Sequence, residues 1–182
     1  MEELTAEVIE IEDKTELIDN IMTMYGQEIL QLVYSYVNNK EIAEELTQDI
    51  FVKCYNSLHT FKGKSTIRTW LWRIAINHSK DYLKSWYNKN VINVKNENVF
   101  DLKKRESVEV MVIRKDDEDR LVSSVMNLPI IYREVIYLFY FEELTIKEIS
   151  NIIQVKQNTV KTRLRRAKEL LKQELEDSVH GG

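Results

Sequence analysis

The sequence predicts an all-α protein: two small helical domains joined by a flexible linker. Turn formers are scarce, with 4 glycines and 1 proline in 182 residues, and two of those glycines end the chain. Ordinary usage is roughly 7% Gly and 5% Pro, and sheet hairpins depend on Gly, Asn and Pro. Apolar residues recur at helical spacing in two separate stretches. Between them lies a segment rich in Asn and charge where that periodicity weakens. Hydrophobic residues make up 43% of the chain, enough to bury a core and to exclude disorder throughout.

Taken in order, residues 1–15 are acidic with no core pattern after Ile11, and read as a flexible arm. Ile29, Leu32, Val33, Tyr36 and Val37 then form one helical stripe. Asn38, Asn39 and Lys40 mark a break. Phe51, Cys54, Tyr55 and Leu58 give a second stripe, and a break follows at 60–65 around Gly63. Leu71, Ile74, Ala75, His78 and Tyr82 give a third. Residues 16–87 are therefore expected to form one helical domain, 88–116 the linker, 117–176 a second domain and 177–182 a tail. In the second domain Leu121, Val122 and Val125 start a short stripe. Pro129 suits the first turn of a helix, where its missing N–H costs little. Tyr132, Val135, Ile136 and Phe139 give that helix its face. Thr145 and Glu148 have the spacing of a capping box ahead of Ile146, Ile149, Ser150 and Ile153. After a break at 154–157, Val160, Leu164, Ala167 and Leu171 mark a last helix.

The net charge of −4 conceals segregation. Residues 1–60 carry −10, 61–95 carry +7, 96–155 carry −4 and 156–182 carry +3. Two basic blocks in an acidic background suit a phosphate backbone; the alternative for each alone is a solvated helix face. The acidic N-terminus lacks a secretory signal's basic start and apolar run, and no stretch approaches the ~18 apolar residues of a membrane span. With a single cysteine, Cys54, a reducing compartment is indicated, and the protein is expected in the cytoplasm. His59, His78 and His180 do not cluster with Cys54 at a metal spacing. No phosphate-cradling glycine loop or nucleophile motif is present. No metal, cofactor or catalytic residue is therefore expected, and the protein is not read as an enzyme.

Residues 145–171 read as helix, short turn, helix. Lys161, Thr162, Arg165 and Arg166 face away from the Val160–Leu171 stripe, as in a helix-turn-helix whose second helix enters the major groove. Arg and Lys there bond guanine edges and phosphates. In the first basic block, all three tryptophans (Trp70, Trp72 and Trp86) fall within 17 residues, among Lys62, Lys64, Arg68, Arg73, Lys80, Lys84 and Lys89. Aromatics among cations suit unpaired bases; a tryptophan packing the core beside Leu71 and Ile74 is the plainer reading for any one of them.

Here the residues carry a resemblance. FKGKSTIRTWLWRIAINHSKDYL resembles the promoter-melting segment of region 2 in extracytoplasmic-function (group IV) RNA polymerase sigma factors of the sigma-70 family. EIAEELTQDIFVKCYNSLHTF resembles their polymerase-binding helix. LPIIYREVIYLFYFEELTIKEISNIIQVKQNTVKTRLRRAKELLK resembles their region 4. The resemblance implies that 16–87 is region 2 and 117–176 region 4, and that the protein directs core polymerase to promoters. By position, it implies that Phe61, Gly63, Lys64, Ser65 and Thr66 form the loop that captures a flipped −10 base. Asn77 would meet an unpaired base, and Arg68, Arg73, Lys80 and Lys84 the DNA backbone. Lys161, Thr162, Arg165 and Arg166 would meet the −35 element. Glu44, Glu45, Gln48, Asp49 and Lys53 would dock on core polymerase. It also implies an anti-sigma partner, often membrane-bound, and a monomer when bound to polymerase. The sequence departs from the family pattern at Gln154, where the turn commonly has a small residue, and at Lys156, Gln157, Asn158 and Arg165.

From the residues alone, two other readings stay open: a dimeric helix-turn-helix regulator, and a helical interaction protein that binds no nucleic acid. Steep salt dependence of DNA binding and the mass of the free protein separate the three.

Overall fold

The computed structural model describes residues 14–92 and 116–180; the expected acidic arm, apart from its last two residues, and most of the expected linker lie outside them. All regular structure among the described residues is helical. Helix α1 spans Lys14–Val37 and α2 Lys40–Ser57, followed by a 3-10 turn at Leu58–Thr60; α3 spans Ile67–Ile92. The second half holds α4 (Asp116–Asn127), α5 (Ile130–Ile136), a π-helical turn at Tyr137–Phe141, α6 (Ile146–Ile153) and α7 (Gln157–His180).

Local chemistry places the breaks. Asn38 takes a positive φ of 50°, a conformation Asn tolerates better than most residues. Asn39 caps α2, its side chain accepting from the Ile42 N–H at 2.9 Å. Thr66 Oγ1 accepts from the Thr69 N–H at 3.1 Å and so caps α3. Pro129 stands just before α5 rather than in its first turn, and its carbonyl accepts from the Tyr132 and Arg133 N–H groups. The capping box at Thr145 and Glu148 forms in both directions. Nothing between Trp86 and Ile92 breaks a helix, so α3 runs five residues into the expected linker; Asn90 donates to the Trp86 carbonyl at 2.8 Å. Likewise α7 continues through His180.

Helices α1, α2 and α3 pack as a bundle around Leu17, Ile21, Leu32, Ile50, Leu71, Trp72 and Ile76, all fully buried. In the second half α5 and α6 pack on α7 around Val135, Leu138, Ile149, Ile152 and Val160. The halves meet where α3 lies against α6 and α1 against α5. Three residues depart from the expected stripes. Tyr55 is 40% exposed and offers its ring to the Lys14 ammonium, 4.2 Å from the centroid. Leu121 and Val122 are also about half exposed, so Val125 alone of that trio is buried. In each case the buried stripe is narrower than the sequence pattern, because the neighbouring helices cover only part of the apolar face.

Gln154 ends α6 in the left-handed region, φ 60° and ψ 42°. Its N–H and that of Val155 both reach the Ser150 carbonyl, and Ser150 Oγ donates to the Val155 carbonyl at 2.6 Å. A side chain at this angle costs roughly 1 kcal/mol that glycine avoids. Gln154→Gly is expected to raise unfolding stability by about 0.5 kcal/mol or more in urea titrations; a loss of stability would contradict this account of the turn.

Candidate nucleic-acid interface

The expected base-capturing loop lies between the 3-10 turn and α3. Phe61 does not point outward. It is 7% exposed, its N–H donates to the Leu58 carbonyl and its ring packs edge-on against Trp70, centroids 5.8 Å apart. Apolar surface of that size is worth burying, so Phe61 anchors the loop instead of presenting a ring to DNA. Gly63 supplies the bend with φ 66°. Lys62, Gly63, Lys64 and Thr66 are exposed, and Ser65 is half-buried. Along α3, Asn77 and Lys84 are exposed and Trp86 is 41% exposed, whereas Trp72 is fully buried with Tyr25 edge-on at 5.7 Å. The plain core reading therefore holds for Trp72 and not for Trp86.

Arg68, Arg73 and Lys80 are all engaged by the second half. Arg68 pairs with Glu142 at 2.6 Å and stacks over Trp72 at 4.8 Å. Arg73 donates to the Asn151 carbonyl at 3.1 Å. Lys80 pairs with Glu134 at 2.7 Å. Both acids are buried. Glu134 also accepts from Tyr36 Oη at 2.8 Å and pairs with Arg163 at 3.1 Å. Glu142 accepts from Trp72 Nε1 at 3.2 Å and from the Tyr137 hydroxyl. Burial lifts the Glu142 carboxyl above its ordinary range, with Arg68 opposing. Burial also raises the Tyr36 hydroxyl well above its usual range, and the Glu134 carboxylate adds to this. Glu134 and Glu142 were not singled out in the sequence. Their signal was present: Glu134 lies four residues from Ile130 and from Leu138, on a row that is otherwise apolar.

In the helix-turn-helix, Lys161, Thr162, Arg165 and Arg166 all lie exposed on α7, opposite buried Val160, Leu164 and Ala167. Thr162 Oγ1 donates to the Asn158 carbonyl at 2.9 Å. Arg166 pairs with Glu169 at 3.0 Å, both half exposed, a contact of little energetic weight. Arg163, three residues after buried Val160, turns inward to Glu134 and holds α7 against α5.

On α2, Glu44, Glu45, Gln48, Asp49 and Lys53 form one exposed face. Val52 sits at its centre, 59% exposed, with Tyr55 on the flank. An apolar side chain ringed by polar ones is the pattern of an interface core, and no helical stripe reveals it. Lys53 Nζ lies 2.7 Å from His78 Nδ1, and Asp49 lies 3.7 Å from the other ring nitrogen. Accepting from an ammonium requires a neutral ring protonated at Nε2, a tautomer assigned from this network. Among the described residues no cluster fit for a metal occurs. Cys54 is buried, and burial pushes its thiol up to about 12, so it is inert.

Burial and, second, the Lys53 charge hold His78 below its ordinary 6.5. A ring depressed in the folded state contributes stability above the unfolded value, and that contribution is lost as pH falls through the lower folded value. Melting temperature is thus expected to fall below pH 6.5, and to fall less in His78→Gln; equal falls would contradict the role given to the ring.

Residues 21–87 match the family model for sigma-70 region 2, and residues 118–171 that for sigma-70 region 4. The RNA polymerase sigma-H factor of Pseudomonas aeruginosa is 30% identical over 165 residues, covering 87% of this chain and 86% of that protein. The ECF RNA polymerase sigma factor SigW of Bacillus subtilis is 29% identical over 165 residues, 87% of this chain and 88% of the relative. The Bacillus subtilis sigma factor YlaC is 31% identical over 169 residues, 88% and 93%. Among solved structures, the sigma factor RpoE of Bartonella quintana, in complex with the anti-sigma factor NepR, has a TM-score of 0.67 at 19% identity, over 87% of this chain and 96% of that one. CnrH in complex with the cytosolic domain of CnrY gives 0.64 at 19% identity over 89% of each chain. Two region models in order, one on each helical half, and relatives matched over most of their length lead to one conclusion: the chain belongs to the sigma-70 family of RNA polymerase sigma factors, in its extracytoplasmic-function branch.

Proposed function

We propose that this sigma factor divides promoter recognition among three exposed faces. The α2 face of Glu44, Glu45, Gln48, Asp49 and Lys53, centred on Val52, docks on core polymerase. The α7 face of Lys161, Thr162, Arg165 and Arg166 reads the −35 element as duplex. Loop residues 62–66, with Asn77, Lys84 and Trp86 on α3, hold the −10 element as a melted strand. Phe61 supports that loop from below.

One observation carries the reading: exposed charge of opposite sign is sorted onto different helices. The α2 face is mostly acidic and exposed, while α7 presents three cations and a hydroxyl on its outer side. An acidic face repels phosphate and suits a basic protein surface. The basic faces attract duplex and single strand alike, and specificity then comes from base edges and stacking. Because the protein binds separated strands better than paired ones, it favours melting without any bond-breaking chemistry, and no catalytic role is assigned to it. Two binding faces on one chain raise the effective concentration of each at a promoter.

No described helix is long and apolar enough to cross a membrane. We place the protein in the cytoplasm, as a monomer once bound to polymerase. The structurally similar sigma factor RpoE was captured with the anti-sigma factor NepR, and CnrH with the cytosolic domain of CnrY. An anti-sigma factor is the regulator proposed here as well.

Run-off transcription by core polymerase on pooled promoter fragments tests the reading. Initiation at defined sites that depends on this protein is expected; none, with folded protein and active core, would overturn it. Asn77→Ala is expected to reduce open-complex formation by roughly tenfold or more, the scale of one lost base contact of about 1–3 kcal/mol, while leaving duplex −35 binding unchanged. Equal loss in both assays would remove Asn77 from base recognition.

A further inference from the structure

We infer that His78, on α3 and outside the exposed face of α2, is a positioning residue for that face. Its ring takes the Lys53 ammonium and so leaves the Asp49 carboxylate free for a basic group of core polymerase. This rests on the proposed reading of the α2 face as the polymerase-docking surface.

Asp49 and Lys53 stand four residues apart on α2, the acid nearer the helix N-terminus. That is the spacing and order in which a carboxylate and an ammonium pair most readily along a helix. Here they do not pair. Lys53 Nζ donates to His78 Nδ1 at 2.7 Å, and Asp49 faces the far ring nitrogen at 3.7 Å, beyond hydrogen-bond reach. The Asp49 side chain is 59% exposed, against 15% for His78. A largely buried ring, fixed in the bundle, thus holds a cation away from an exposed anion. A face that meets a basic partner gains twice. Asp49 arrives with its charge unneutralised, and Lys53 is already ordered, which lowers the entropy lost when an interface forms.

The arrangement needs a neutral ring. Protonated at both nitrogens, His78 has no lone pair for Lys53 and repels it, while its Nε2 proton draws in Asp49. Lys53 and Asp49 from α2, with Asp81 from α3, are the charged groups acting on the ring. Burial and Lys53 favour the neutral form, and the two acids oppose them. A proton on His78 therefore exchanges the free anion of the face for a loose cation. Docking on a basic partner and protonation of His78 disfavour each other by linkage.

Binding of the full chain to core RNA polymerase, followed by titration calorimetry across pH, tests the role. At about pH 7.5 His78→Leu, which cannot accept from an ammonium, is expected to weaken binding about fivefold, the scale of one long side chain left unordered. His78→Gln, whose amide oxygen accepts in place of Nδ1, should stay within about twofold of the unaltered chain. In a Lys53→Met background His78→Leu should cost nothing further, because the cation it fails to hold is gone. Between about pH 7.5 and 5.5, where imidazole titrates, the unaltered chain should lose about threefold more affinity than His78→Gln. Binding by His78→Leu as tight as that of the unaltered chain would overturn the proposal, as would an equal loss with and without Lys53. Parallel pH profiles for the unaltered chain and His78→Gln would overturn it even where His78→Leu fails to fold. Val52→Asp reads the docking face separately. If it weakens binding while the His78 variants change nothing, the face stands and the positioning role is refuted; if it does not weaken binding, the face is misassigned and the inference falls with it.

Discussion

A carboxylate withdrawn from water needs donors on every side, and Glu134 has them: Tyr36, Lys80 and Arg163 at 2.7–3.1 Å. Two come from the first helical half and one from the recognition helix. That requirement ties three events together. It fixes α7 against α5, it holds α5 against α1, and it draws Lys80 away from solvent. The helix that exposes Lys161 and Arg165 is thus positioned by the same acid that engages Lys80. Removing one donor from such a group leaves buried charge uncompensated, at a cost of several kcal/mol.

Around this hub the molecule keeps its faces chemically distinct. Acidic side chains on α2 surround an exposed Val52, and Lys53 leans on His78 across the bundle, so that face of α2 is braced by α3. The outer turns of α7 carry cations with few protein partners of consequence. The middle of α3 differs, because Arg68, Arg73 and Lys80 are bonded to the second half.

Helix identity was legible because its causes are local. The Asn38–Asn39 break, the Thr145–Glu148 capping box and the Val160–Leu164–Ala167 stripe each follow from residues a few positions apart. The exposed helix faces were legible for the same reason, since a face is only the complement of a stripe. What escaped was anything set by contacts between elements distant along the chain. Phe61 reads as a loop aromatic until Trp70 covers it. Leu121 and Val122 read as core, but the helices packed on α4 leave both about half exposed. Glu134 and Glu142 read as ordinary acids, because their donors in the first half lie 54 to 98 positions away along the chain. Arg68, Arg73 and Lys80 read as cations of one basic block, and their partners in the second half were invisible to spacing.

Glu134 joins the two halves, and the distance between dyes on cysteines at exposed His59 and Lys147, with Cys54→Ser, reports that joining by single-molecule energy transfer. One short distance is expected in the free protein and a longer, broader one in Glu134→Ala. The same short distance in both would contradict the role given to Glu134.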